Sequence, residues 1–129
     1  MFIKDVESLR KFAAEFAAGL RAPKCVALYG GLGAGKTEFA RAVIRALQGP
    51  DVAVPSPTFT LVQTYGNISH FDLYRVKNAA ELEEIGLFDA LLKDITIIEW
   101  PEIAEGILPE NTIRARLEIK EGGRELTLG

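Results

Sequence analysis

The residues with the most definite chemistry are Gly30, Gly35, Lys36 and Thr37, the fixed points of the string Gly30-Gly31-Leu32-Gly33-Ala34-Gly35-Lys36-Thr37. A polyphosphate oxygen must come close to backbone N–H groups, and glycines, having no Cβ, permit that approach. Lys36 brings an ammonium that can reach the terminal phosphates, and Thr37 brings a hydroxyl suited to Mg²⁺. A helix starting at this point turns the positive end of its dipole toward the anion. The flanks fit the same reading. Cys25 to Tyr29 is an apolar run that reads as a strand. Glu38 to Leu47 consists of good helix formers, with Gly49-Pro50 as a stop. The stretch is a phosphate-binding loop between a strand and a helix.

Phosphoryl transfer from such a loop is won by charge neutralisation and positioning, so it needs a metal ion and an acid to hold it. Glu99 is the first candidate. It ends the β-branched run Asp94-Ile95-Thr96-Ile97-Ile98, which reads as a buried parallel strand, and ligand sites in open α/β sheets lie at the carboxyl ends of strands. The usual acid at such a place is Asp. Glu99 could bind Mg²⁺ directly, hold a metal-bound water or polarise the attacking water, and its bland alternative is a solvated strand end. Asp72 is the second candidate, enclosed by aromatics in His70-Phe71-Asp72-Leu73-Tyr74-Arg75. A cross-strand salt bridge or one to Arg75 is the competing reading.

Ser56-Pro57-Thr58 is similar to a switch segment, in which the Thr58 hydroxyl reports the state of a γ-phosphate. It reads equally well as a turn. His70, the single histidine, cannot make a zinc site alone; it reads as a structural hydrogen-bonder and is given no catalytic role. Arg41, Arg45 and Arg75 are cations that could meet phosphate charge, and the sequence does not rank them.

The elements that must position these groups follow from periodicity. Val6, Leu9, Phe12, Ala13, Phe16 and Leu20 recur at helical spacing behind Asp5 as N-cap, giving a helix over 6–18. The prolines of Val52 to Pro57 deny both helix and central strand and imply a stiff turn. Thr58 to Tyr65 and Ile68 to Tyr74 alternate around Gly66-Asn67, the signature of a hairpin. Asn78 and Glu81 form a variant capping box for a short helix closed by Gly86, with a second turn over Leu87 to Leu92. Pro101 suits the first position of a short helix reaching about Ile107. Ile113 to Lys120 and Glu125 to Leu128 form another hairpin around Gly122-Gly123.

At 129 residues and 48% hydrophobic, the chain suits one compact domain spanning 1–129. The net charge of −3, with dispersed Lys and Arg, leaves no footprint for direct nucleic-acid binding. RNA, if involved, is therefore expected to be met through a partner, with no DNA and no membrane involved. The lone Cys25 excludes an internal disulfide, and in a buried strand it reads as a small core hydrophobe. With no secretory segment at the start and no apolar run of membrane length, a cytoplasmic protein is expected.

With the motifs placed in order, nearly the whole chain resembles the bacterial TsaE family, the P-loop ATPases required for making threonylcarbamoyladenosine in tRNA. The resemblance rests on Gly33-Ala34-Gly35-Lys36-Thr37, on Ser56-Pro57-Thr58-Phe59-Thr60-Leu61-Val62, on the His70 to Arg75 string and on Glu99-Trp100-Pro101. It implies an α/β P-loop NTPase fold with a mainly parallel sheet core, added antiparallel strands and hairpins, and helices on both faces. It implies MgATP as ligand and slow ATP hydrolysis that supports a complex with TsaB and TsaD, with tRNA met through those partners. Carried over residue by residue, Thr37 and Glu99 look like the Mg²⁺ contacts. Gly31, Leu32, Gly33, Ala34, Gly35, Lys36 and Thr37 look like the phosphate contacts. Lys36, Asp72, Glu99 and Thr58 make up the active centre, and Trp100 is expected to sense the nucleotide from its place beside Glu99. Ser8 and Arg124 match positions bordering the nucleotide.

Two departures stand out. Gly31 occupies a position where the family often has Asp or Asn, and Glu38 one where a second Thr is common; both bear on loop rigidity and hydrolysis rate. The chain stops soon after Arg124, which leaves open whether a natural tail follows. A P-loop small-molecule kinase and a nucleotide-dependent, non-enzymatic switch are the alternatives. A GTPase is disfavoured because no Asn-Lys-x-Asp guanine-reading string occurs.

Overall fold

The computed structural model describes every residue except Phe59. The first helix, α1 (Val6–Ala18), starts where sequence places it: the Asp5 side chain accepts the Ser8 N–H at 2.8 Å, capping one of the amides a helix start leaves open. Leu9, Ala13 and Ala17, four residues apart, form its buried stripe. Strand β2 (Lys24–Tyr29) is buried from Cys25 onward, as a central strand covered on both faces must be. Helix α2 (Lys36–Gln48) follows the loop and buries Phe39, Ala40, Val43 and Ile44. Phe39 packs against Phe12 and Phe16 of α1, with ring centroids 6.0 and 5.5 Å apart. Burying a ring of this size stabilises by roughly 1.5–3 kcal/mol. The α1 helix is thereby fixed on α2 as well as on the sheet.

The strands form one seven-stranded sheet. Besides β2 it holds β1 (Phe2–Ile3), β3 (Val62–Tyr65), β4 (Ile68–Asp72), β5 (Ile95–Glu99), β6 (Ile113–Lys120) and β7 (Gly123–Leu128), in the order β1-β7-β6-β2-β5-β4-β3. The middle strands β6, β2, β5 and β4 run parallel. β7, β1 and β3 are added antiparallel at the edges. Helices cover both faces. With α1 and α2 pack Val26, Leu28, Ile68, Ile97 and Leu117. On the other face, Cys25, Phe71 and Ile98 meet α3 (Ala80–Glu84), α4 (Leu87–Lys93) and a 3₁₀ helix over Pro101–Ile107.

Three local expectations change. The first hairpin strand begins at Val62 rather than Thr58, because Leu61 takes a left-handed φ of 69° and its N–H bonds back to Pro57 O. The Phe59 part of that expected strand lies outside the described residues. The partner strand stops at Asp72, where the side chain is engaged by Thr58 and by the Tyr74 N–H. The edge strand β1, which periodicity does not reveal, pairs Ile3 with Arg124 of β7. The box at the start of α3 does form, since Glu81 N–H donates to Asn78 Oδ1 at 3.3 Å and Asn78 N–H to Glu81 Oε2 at 3.4 Å. No helix of the described residues is long and apolar enough to cross a membrane.

Chain direction opens the site. After β2 the chain passes to α2 on one face; after β5, its parallel neighbour, it passes to the 3₁₀ helix on the other. Two adjacent parallel strands whose continuations part in this way leave a crevice at their carboxyl ends.

Candidate phosphate-binding site

The loop leaves β2 at Gly30, whose φ is 148°, and a Cβ there would stand 2.5 Å from Leu117 O. Glycine is required because β6 comes too close for a side chain. Gly35 takes a left-handed φ of 104° at the N-cap of α2 and offers no side-chain cap to the helix amides. Those first N–H groups point out of a 13-residue helix into the crevice mouth, an arrangement suited to anions. Ala34 is buried, whereas Leu32 stands out at the loop tip.

Lys36 is 5% exposed. Its Nζ donates to Gly30 O at 2.6 Å and Gly31 O at 2.9 Å, and lies 3.9 Å from the centroid of the Trp100 ring. Burial pushes its pKa below the ordinary lysine value, against the opposing pull of Glu99, Glu102 and Asp72. Trp100 takes a left-handed φ of 56° directly after β5 and packs against Tyr74 in a tilted ring pair, 4.8 Å between centroids.

The acids stand side by side. β2, β5 and β4 place Leu28, Glu99 and Asp72 in one row at the carboxyl edge. Glu99 and Asp72 are 2% and 4% exposed, as carboxylates are when their oxygens are occupied. Glu99 Oε1 accepts the Thr37 hydroxyl at 2.7 Å, and its Oε2 lies 2.6 Å from His70 Nε2. Asp72 Oδ1 accepts Tyr74 N–H at 2.9 Å and Oδ2 accepts Thr58 Oγ1 at 3.2 Å, with Ser56 Oγ 2.7 Å from Thr58.

The loop from Leu32 to Glu38, with Asp72, Glu99 and Trp100, lines a cavity of about 360 Å³. Size does not single it out, for a groove between α1 and α2 and a cleft beside Tyr29 and Arg114 measure about 390 and 400 Å³. Donor chemistry does, since of these three cavities this one joins loop glycines, a buried lysine and two buried carboxylates.

The expected site residues Leu32 to Thr37, Asp72, Glu99 and Trp100 therefore meet in one place, and Gly31 adjoins them through its carbonyl, which accepts from Lys36 Nζ. Thr58 joins through Asp72. Arg124 reaches the loop from β7, its Nη2 donating to Gly33 O at 3.3 Å. Ser8 does not line the cavity; its backbone N–H completes the Asp5 cap in the first turn of α1. Sequence reasoning passed over His70 as part of the site. The signal was present in the alternation of β4, which puts His70 on the same face as Asp72.

For Mg²⁺ the donor set fits. Thr37 and Glu99 present hard oxygens to one point, while the described residues hold no group of three or more His, Cys, Asp or Glu placed to cage a metal. Magnesium uses few protein oxygens and completes its shell with phosphates and water, so a two-residue site suits it only alongside a nucleotide.

The family model for "Threonylcarbamoyl adenosine biosynthesis protein TsaE" matches residues 3–126. The chain belongs to the TsaE family. The TsaE relative of Rickettsia bellii, a tRNA threonylcarbamoyladenosine biosynthesis protein, is 41% identical over 128 residues, covering 96% of this chain and 89% of its own. The TsaE relative of Haemophilus influenzae is 38% identical over 137 residues, covering 98% and 86%. Among solved structures, that of Bacillus subtilus YdiB superposes with a TM-score of 0.79 over 99% of this chain and 82% of its own, at 24% identity. That likeness concerns the fold alone.

Proposed function

We propose that the chain is a Mg²⁺-dependent ATP-binding protein whose slow ATP hydrolysis serves N6-threonylcarbamoyladenosine formation in tRNA, in a complex with TsaB and TsaD. The observation that carries this reading is the 2.7 Å contact between Thr37 of the phosphate loop and Glu99 at the end of the neighbouring strand. It joins the phosphate end and the acid end of one crevice.

In this reading the loop amides and Lys36 hold the phosphates, and Thr37 and Glu99 hold the metal. Bound Mg²⁺ would neutralise charge on the β- and γ-phosphates. Lys36 has to turn from Gly30 O and Gly31 O to meet a phosphate, a local move of a flexible side chain. Asp72, held by Thr58 and the Tyr74 N–H, keeps free lone pairs with which to orient a water. Trp100 and Arg124 border the nucleotide.

Slow turnover by the isolated chain is in keeping with two arginines being engaged elsewhere: Arg41 donates to Val54 O and Glu38, and Arg45 to Val52 O. An arginine at the transferred phosphate accounts for roughly 10³–10⁵-fold in related chemistry.

ATP turnover measured alone, with TsaB and TsaD, and with tRNA added tests the proposal. Slow phosphate release that responds to the partners is expected. Phosphorylation of a small acceptor faster than phosphate release would indicate a kinase instead. Normal tRNA modification by a variant that binds ATP without cleaving it would indicate a switch.

A further inference from the structure

His70 is the single histidine of the chain and is fully buried. It stands opposite Ile97 in the β4–β5 register, two residues before the Asp72–Glu99 pair, and its Nε2 reaches Glu99 Oε2 at 2.6 Å. The two oxygens of Glu99 are thus held by different elements, one by the imidazole of β4 and the other by the Thr37 hydroxyl in the first turn of α2.

The other ring nitrogen decides the tautomer. Nδ1 is buried with no hydrogen-bond partner among the described residues. A buried N–H without an acceptor is rarer in proteins than an unmatched acceptor, and an ionised carboxylate can only accept. With an ionised Glu99 as acceptor, a neutral ring carries its hydrogen on Nε2 and leaves Nδ1 a bare lone pair, the assignment that fits both nitrogens.

We propose that His70 is a positioning residue for the metal end of the site: its Nε2–H holds one oxygen of Glu99 so that the other stays aimed at Thr37 and at a divalent cation shared with the nucleotide phosphates. This rests on the reading of Thr37 and Glu99 as the Mg²⁺ contacts and assigns the group that orients them. A carboxylate without such a second bond can swing away from the metal, and loss of outer hydrogen bonds of this kind weakens metal binding by about 10–100-fold.

Two measurements test it. Nitrogen-15 NMR of the sole histidine at neutral pH, with neither metal nor nucleotide present, is expected to show hydrogen on Nε2 and a bare Nδ1; hydrogen on Nδ1 overturns the proposal. Calorimetry then compares ADP affinity in Mg²⁺ with that in EDTA for wild type, His70→Gln and His70→Phe. The Gln amide nitrogen can donate from near the place of Nε2, while Phe fills the volume and donates nothing. The Mg²⁺ advantage is expected to fall about tenfold or more in His70→Phe and to return largely in His70→Gln, with affinity in EDTA held within about twofold. An unchanged advantage, an equal loss in both media, or a Gln variant no better than Phe overturns the positioning role. A wild-type protein with no Mg²⁺ advantage overturns the magnesium reading itself, an outcome distinct from one in which only the His70 variants behave as wild type.

Discussion

Thr37 Oγ1 donates to Glu99 Oε1 across 2.7 Å, and this bond ties the first turn of α2 to the last residue of β5. It brings together residues that are 62 positions apart in sequence. Glu99→Gln preserves size and removes the charge that would face Mg²⁺. The expected result is a loss of about 10–100-fold in the Mg²⁺ enhancement of ADP binding, with affinity in EDTA within about threefold of wild type. Calorimetry in the two media checks this, and an undiminished enhancement would remove Glu99 from the metal.

Two neighbouring glycines should behave differently. Gly30→Ala puts a Cβ 2.5 Å from Leu117 O at a φ that side chains rarely adopt, whereas Gly31 has nothing within 4 Å of its would-be Cβ. Urea denaturation should show Gly30→Ala destabilised by about 2 kcal/mol or more and Gly31→Asp changed by less than about 0.5 kcal/mol. Similar costs for both would mean that the loop does not press on β6 as described.

Burial pushes the Cys25 thiol up from 9.0 to about 11, with the Thr112 hydroxyl pulling the other way. The folded chain therefore keeps a proton that the unfolded chain releases first. The associated stability is complete below pH 9 and drains away as pH rises through about 11, with a limit of roughly 3 kcal/mol. Urea midpoints from pH 8 to 11 should decline less steeply in Cys25→Ala than in wild type. Parallel declines would contradict the burial of a protonated thiol.

Trp100 is the only tryptophan, and its ring lies over the Lys36 ammonium. When Lys36 turns to a phosphate, that contact changes, so emission should shift on titration with MgADP. A flat emission curve where calorimetry shows binding would place Trp100 away from the moving charge.

Much of this architecture was legible because its signals are local. The Asp5 cap, the Asn78–Glu81 box, the Gly66-Asn67 turn and the loop itself each lie within a few residues and appear as read. What the sequence hid depends on register. β1 is a strand only because β7 runs beside it, and the Leu61 turn interrupts an alternating segment that propensity alone would extend. The His70–Glu99 bond needs β4 and β5 to be aligned before the two side chains can meet. Arg124 was placed near the nucleotide by resemblance, and its contact with Gly33 O arises from β7 folding back beside the loop.

The central claim is that the loop holds the phosphates of ATP through Lys36. Calorimetric titration of MgATP into wild type and Lys36→Ala tests it most directly, with circular dichroism confirming that the variant is folded. A charge-assisted hydrogen bond contributes roughly 1.5–3 kcal/mol, so affinity should fall about 10–100-fold in the folded variant. Unaltered MgATP affinity in folded Lys36→Ala would contradict the account.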